Sequence, residues 1–315
     1  MRALLIVNPT ATATTARSRD VVASALSSEV KLDIGLTDHR GHAAELAHQA
    51  RLDGLDLVVA LGGDGTVNEA VNGLLAGGEG GDVPAFAVLP GGSTNVFARN
   101  LGMTNNVVEA TGELLEAIHA DRFRSIGLGT IQADALDARW FTFTAGVGYD
   151  ASVVRRVERV RQSGTRATGS LYARSAVLEF ILKEEKKAGA LTLQVDGEEP
   201  VPGVFFSIVS NSSPWTYLGS RPVRMAPRAS FETGLDLFAM LKSRTSLVLS
   251  RAMQAMFLPS GPRLRHTMQR HDLPGMTFTS GLAMPFQGDG DDFGDARRLR
   301  LRSVPNALRV PSFTR

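Results

Sequence analysis

Three turns rich in glycine and hydroxyl side chains carry most of the chemistry open to this chain. The first, Leu61-Gly62-Gly63-Asp64-Gly65-Thr66-Val67-Asn68-Glu69, follows an apolar run at residues 55–61 and precedes a helix-compatible segment at residues 67–75. Glycines at such a strand-to-helix junction let a polyanion approach the backbone, because no Cβ stands in the way. The helix that follows aims its free N–H groups and positive dipole end at phosphate. Gly62, Gly63, Gly65, Thr66 and Asn68 supply backbone N–H groups, a hydroxyl and an amide, the groups a nucleoside triphosphate needs around it. Asp64 is out of place in a pure anion site, since a carboxylate repels phosphate. It makes sense where a metal ion or a nucleophile's proton is handled as well. The turn has no lysine of the P-loop kind, so phosphate charge must be met by metal, dipoles or a basic residue elsewhere.

The second turn, Pro90-Gly91-Gly92-Ser93-Thr94-Asn95, is another glycine-rich strand exit. Its Ser93 can contact a phosphate or ribose; as a plain βα loop it would only place Asn95 as a helix cap. The third, Asn8-Pro9-Thr10, ends the first apolar run, and Thr37 with Gly41-His42-Ala43 follows the second, where a ribose or adenine edge could lie. Near the other end stands Gln287-Gly288-Asp289-Gly290-Asp291-Asp292-Phe293-Gly294. It reads as a hairpin turn with Asp-Gly geometry, or as a carboxylate at a strand end that takes a proton from an acceptor hydroxyl; the residues alone favour the turn. The six histidines, at positions 39, 42, 48, 119, 266 and 271, show no metal-ligand spacing and read as surface or capping residues.

Short apolar runs alternate with helical spacings over the first 125 residues: strands at 3–7, 30–36, 55–61 and 85–89, and helices at 16–27, 42–52, 67–75 and from Val96. That alternation implies a parallel sheet with right-handed crossovers, whose ligands sit beyond the carboxyl ends of the strands. All three turns fall on that rim. From about residue 126 the texture changes to β-branched and aromatic runs at 140–145, 191–195, 204–209, 235–241 and 276–280. Helices are expected at 170–183 and 246–257, the latter a core helix or an acyl-chain surface through Met253, Met256 and Phe257, while KEEKK at 183–187 is a solvated helix face. A hydrophobic content of 43% with no cysteine fits a globular protein in a reducing compartment. No apolar run is long enough to span a bilayer, and the opening MRALLIVNPT reads as a strand rather than a signal peptide. Arginines cluster at 155–174 and 297–302, and the first stretch is the candidate contact for anionic lipid.

GGDGTVNE, GGSTNVFARNL, Ala145-Gly146-Val147-Gly148-Tyr149-Asp150-Ala151 and the late Asp-Gly-Asp, in that order, resemble the diacylglycerol kinase catalytic-domain family of bacterial lipid kinases, sphingosine kinases and diacylglycerol kinases. The resemblance implies an α/β ATP-binding domain of the NAD-kinase-like, parallel-sheet type at residues 1–126, rejoined by 303–315, and a β-rich sandwich acceptor domain at 127–302. Asn8, Pro9, Thr10, Thr37, Gly62 through Asn68 and Ser93 would surround ATP. Mg²⁺ would be held through Asp64. The family's Asp-Gly-Glu stands here as Asp289-Gly290-Asp291, which makes Asp291 the candidate base and Asp289 the other. Acids common in the family are replaced at Val96 and Gly127, and its structural-metal loop Asp-Asp-Gly-Leu reads Glu232-Thr233-Gly234-Leu235, weakening a Mg²⁺ or Ca²⁺ site.

The resemblance therefore implies a cytoplasmic lipid kinase that passes the γ-phosphoryl group of ATP to the hydroxyl of diacylglycerol or a related lipid. Its expected partner is a lipid at the membrane surface through peripheral contact, with no nucleic acid; a homodimer is left open. The alternatives are a kinase of a soluble acceptor such as NAD, and a non-catalytic nucleotide- or lipid-binding regulator.

Overall fold

The computed structural model describes residues 1–80, 82–148, 151, 152, 155, 191–241 and 266–313. The helices expected at 170–183 and 246–257, and the charged run at 183–187, lie outside the described residues. The chain divides into two compact units, Met1–Gly127 with Pro305–Arg315, and Leu128–Val304.

The first unit alternates β1 (Arg2–Val7), α1 (Ala16–Ser27), β2 (Lys31–Leu36), α2 (His42–Leu52), β3 (Leu57–Gly62), α3 (Asp64–Leu74), β4 (Ala85–Pro90), α4 (Val96–Asn100) and α5 (Val107–His119). Its four strands are parallel in the order β2-β1-β3-β4. Every residue of β3 and β4 is buried, the continuous apolar pattern of strands covered on both faces. Edge strand β2 is the exception and leaves Ile34 and Leu36 exposed. Thr15 and Ser18 close a capping box on α1, and Asn106 caps α5 through the N–H groups of Val108 and Glu109. α5 lies where no helix is expected from the sequence, and α3 begins at Asp64, three residues before the expected start. Helices α2 and α3 approach through Gly73, where a Cβ would lie 2.1 Å from the carbonyl oxygen of Ala44.

The second unit is an antiparallel sheet, built of β5 (Phe123–Ala133, from Leu128 on), β6 (Arg139–Phe141), β7 (Thr144–Gly148), β8 (Leu191–Val195), β9 (Val201–Val204), β10 (Phe206–Ser210), β13 (Leu235–Met240), β14 (Thr267–Leu273), β15 (Gly275–Gly288) and β16 (Asp291–Pro311, as far as Val304). A separate hairpin pairs β11 (Thr216–Leu218) with β12 (Arg221–Val223). The sheet order is β14-β13-β10-β7-β15-β16-β5-β6, with β8 on β15 and β9 on β8. One face carries the main core, including Val147, Leu193, Leu237, Phe278, Leu299 and Leu301. The other buries Phe206, Ile208, Phe238 and Met240 beneath Val223 and Met225. The run at 140–145 is two strands rather than one, interrupted at Thr142 and Phe143. The run at 204–209 likewise divides between β9 and β10. Residues 304–310 belong to the long strand β16.

Candidate active site

The rim of the parallel sheet is a single hydrogen-bonded assembly of turns. Asn8 leaves β1 with its N–H on the carbonyl of Leu61 at 3.1 Å, and its side-chain amide donates to Thr66 Oγ1 at 3.0 Å. Asn8 Oδ1 accepts from the N–H of Thr10 at 3.0 Å and its hydroxyl at 2.8 Å, which fixes the bend at Pro9. Gly91 N donates to the carbonyl of Gly62 at 2.9 Å, and Ala13 N to that of Gly91 at 2.8 Å. Thr37 N reaches the carbonyl of Val7 at 2.9 Å. All three glycine- and hydroxyl-rich turns, with Thr37 beside them, are thus brought to one rim.

The glycines are needed first for this assembly. A Cβ on Gly92 would lie 2.6 Å from the Cα of Gly63, and one on Gly91 would lie 2.9 Å from Gly62 N. Gly62 packs so tightly on Thr66 that its own Cβ would come within 2.8 Å of the Thr66 side chain. The two turns meet backbone on backbone, a contact no larger residue permits. Asn95 stands at the N-cap position of α4, but its side chain makes no cap bond there. It takes a left-handed φ of +51° and closes its own turn, accepting from Gly92 N at 2.9 Å and donating to Gly92 O at 2.9 Å and Asn105 Oδ1 at 2.8 Å. Ser93 stays exposed beside Thr94. Asn68 is buried on α3, where its side-chain oxygen accepts from Asn72 at 3.1 Å.

Asp64 acquires a structural reason here. It opens α3, and its Oδ1 accepts the N–H of Phe97 in the first turn of α4 at 3.2 Å. One carboxylate therefore serves two helix starts, where negative charge is favoured. Gly63, the N-cap of α3, offers no side-chain cap, unlike Thr15 on α1 and Asn106 on α5. A glycine at the N-cap leaves the start of α3 open to the approach of an anion, beside a carboxylate fit to hold a cation.

At the exit of β2 two of the histidines read as surface or capping residues gather on a carboxylate. Asp38 Oδ1 lies 2.5 Å from His39 Nδ1 and 2.6 Å from His42 Nδ1, and the imidazoles stack at 4.7 Å between centroids. His39 Nε2 faces Glu45 at 3.2 Å. The hydrogen bond to Asp38, then that to Glu45, raises the His39 pKa, and the one from His39 holds Asp38 low. Among the described residues this is the one group of three His, Asp or Glu side chains whose ligand atoms converge, all within 4.8 Å. The nearly parallel rings, 13° apart, aim at the carboxylate and not at a common in-plane ligand.

The Asp-Gly pair forms the hairpin turn between β15 and β16, with φ of +53° at Asp289 and +86° at Gly290. Asp289 is 4% exposed, and its carboxylate accepts from Thr142 N at 2.6 Å, Thr142 Oγ1 at 2.9 Å, Phe143 N at 2.9 Å and Thr144 N at 3.1 Å. Both oxygens are spent holding the interruption between β6 and β7. A proton acceptor needs a lone pair directed at its substrate, and the lone pairs of Asp289 used here face the backbone of residues 142–144. Asp291, two residues on, is only partly buried.

Arg155 is likewise engaged. Its Nε donates to Asp292 Oδ2 at 2.6 Å and its Nη1 to Asp295 at 3.0 Å, which raises its pKa, the Asp292 bond contributing most. It is no free contact for lipid, and the rest of the 155–174 stretch lies outside the described residues. In the loop before β13, Gly234 N donates to Asp272 Oδ1 at 2.7 Å, and the Thr233 hydroxyl to Ser230 O at 3.1 Å. Protein groups meet the polar demands of that loop, and Thr233 brings no charged oxygen, so the donor set does not fit a hard cation. Beside it the buried Asp236 accepts from His271 Nδ1 at 2.6 Å; desolvation raises its pKa against that bond. Nothing in the spacing of positions 236 and 271 announces this pair.

A parallel α/β unit with glycine turns on its carboxyl rim and an antiparallel β-rich unit define the class. The family model of the diacylglycerol kinase catalytic domain matches residues 2–131. Residues 2–131, nearly all within the first unit, therefore resemble the catalytic domain of that family. A Chromohalobacter salexigens protein named "Probable lipid kinase YegS-like" is 29% identical over 280 residues, 88% of this chain and 82% of that protein. A Bacillus subtilis protein named diacylglycerol kinase is 35% identical over 109 residues, 34% of this chain and 32% of its own. The crystal structure of a diacylglycerol kinase from Bacillus anthracis superimposes with a TM-score of 0.69 at 18% identity, covering 99% of this chain and 97% of that one, which shows the shared fold.

Proposed function

We propose that the protein is an ATP-dependent lipid kinase that phosphorylates the hydroxyl of diacylglycerol or a related lipid. The observation that carries this reading is the rim on which Asn8, the Gly62–Thr66 turn and the Gly91–Asn95 turn lock together around the uncapped start of α3. It supplies backbone N–H groups and helix dipole for phosphate, in a chain similar to proteins named as lipid kinases.

The same rim fits Mg²⁺: Asp64 offers a charged oxygen next to the phosphate-facing N–H groups, and magnesium usually takes one or two carboxylates together with substrate phosphates. Bound there, the ion would neutralise charge on the transferring phosphoryl group. Asn8, Thr10, Thr66 and Ser93 position the nucleotide, with Thr37 at its ribose or base edge. Asp291 takes the proton of the acceptor hydroxyl, since Asp289 is committed to the backbone of residues 142–144. Positioning and electrostatics supply most of the acceleration in phosphoryl transfer, so rigid turns matter more than any one group.

The test is incubation of the protein with labelled ATP, Mg²⁺ and a panel of diacylglycerol, sphingoid, monoacylglycerol and soluble acceptors. Label in a lipid phosphate supports the reading, and label passed only to NAD would replace it.

A further inference from the structure

Strand β16 reads Arg298-Leu299-Arg300-Leu301-Arg302, and in a strand alternate side chains point to opposite faces. Leu299 and Leu301 are fully buried in the main core. Arg298, Arg300 and Arg302 therefore stand on the outer face of the same sheet. The ladder sets them opposite Thr279, Thr277 and Gly275 of β15, which in turn pairs with β8 and its outward-facing Gln194. This is a polar, open surface crossed by a stripe of guanidinium groups.

Only one of the three is neutralised. Arg300 is clasped by Asp196, which lowers the Asp196 pKa through that hydrogen bond and, more weakly, through the charge of Arg302. Arg298 and Arg302 are exposed, and neither side chain makes an ion pair or hydrogen bond among the described residues. Where β15 leaves the ladder between Thr279 and Met284, it also presents Leu282 at 59% exposure. Two other arginines of this unit are engaged in full ion pairs. Arg155 is paired with Asp292 and Asp295, and Arg270 with Glu198.

We propose that this outer face of β16, through Arg298 and Arg302, is the surface by which the protein docks on an anionic lipid bilayer. Uncompensated arginines on a flat face suit a surface of negative head groups, each basic residue contributing about 1 kcal/mol near such a membrane. The proposal rests on the lipid-kinase reading for its choice of partner, but its test reads binding and not catalysis.

Flotation with vesicles of phosphatidylcholine and phosphatidylglycerol, against vesicles of phosphatidylcholine alone, gives the partition coefficient. The Arg298→Gln/Arg302→Gln double variant is expected to lose about 30-fold on the anionic vesicles, and wild-type binding should fall steeply with added salt. The Arg298→Lys/Arg302→Lys variant should restore most of it, which excludes a folding defect. Arg17→Gln/Lys31→Gln removes the same net charge from exposed positions elsewhere and should change partition less than twofold. Equal losses in both glutamine variants, equal binding to neutral vesicles, or binding to duplex DNA but not to anionic vesicles would each overturn the proposal. If wild-type protein phosphorylates no lipid yet partitions as described, the docking surface stands while the kinase reading fails. If it phosphorylates detergent-dispersed lipid while the Arg298→Gln/Arg302→Gln variant binds vesicles as well as wild type, the kinase reading stands and the docking surface fails.

Discussion

Replacing Asp289 by asparagine separates the structural from the chemical meaning of the late Asp-Gly-Asp. Asparagine tolerates the left-handed backbone at this position, so the turn is kept and only the acceptor is altered. The carboxylate accepts three backbone N–H groups and one hydroxyl inside the protein. An amide keeps one oxygen for one pair of these donors and turns an NH₂ toward the other pair. The Thr142 hydroxyl can rotate to accept from that NH₂, but one buried N–H is stranded. Losing the charge on two bonds and orphaning one donor costs about 3 kcal/mol, given 1–3 kcal/mol for an unmet buried group. With a urea slope of about 2 kcal/mol/M for a unit of this size, the midpoint falls by roughly 1.5 M. The assay is direct, because both tryptophans, Trp140 and Trp215, lie in the second unit and report its unfolding by fluorescence. Asp291→Asn should leave that midpoint unchanged and abolish transfer to the acceptor. An Asp289→Asn protein with an unshifted midpoint and no activity would refute the structural assignment.

Three other expectations follow from the same geometry. Asp64→Ala should abolish phosphoryl transfer and also lower stability by about 1.5–3 kcal/mol through loss of the charged acceptor of the Phe97 N–H, as read by activity and thermal melting together. Gly92→Ala must push the two turns apart by about 1 Å, because its Cβ would sit 2.6 Å from the Cα of Gly63; kcat/KM should drop by about 100-fold, and unchanged kinetics would contradict the close packing. His39 should titrate above the ordinary imidazole range in an NMR experiment, and Asp38→Asn should lower it. Because its folded pKa is raised, any stability it lends is present at low pH and is lost as pH rises through that folded value.

Much of the first unit is legible in the sequence, because buried parallel strands are continuous apolar runs and helices recur at 3.6-residue spacing. The limits of α1 and α2 follow from their patterns, and α1 carries its own capping box. α5 is harder to see although Asn106 caps it, since its start follows closely on the short helix α4. The second unit is less legible: its strands pair across long separations, and the interruption at Thr142 is imposed by Asp289, 147 residues away. For the site, the sequence marks the turns but not why glycine fills them. Gly63 and Gly92 are determined by each other, a contact that no local pattern records. Asp38, His39 and His42 are close in sequence, yet their convergence depends on the left-handed Gly41 that starts α2.

On the proposed function, the rim built around Asp64 transfers phosphate from ATP to a lipid hydroxyl. The most direct measurement is transfer of label from γ-labelled ATP to dispersed diacylglycerol and the other lipids of the panel, run side by side with Asp64→Asn. Label in a lipid phosphate from the wild-type protein, lost in the variant at unchanged melting temperature, is the predicted result. Nucleotide binding without transfer to any lipid, or equal transfer by both proteins, would contradict it.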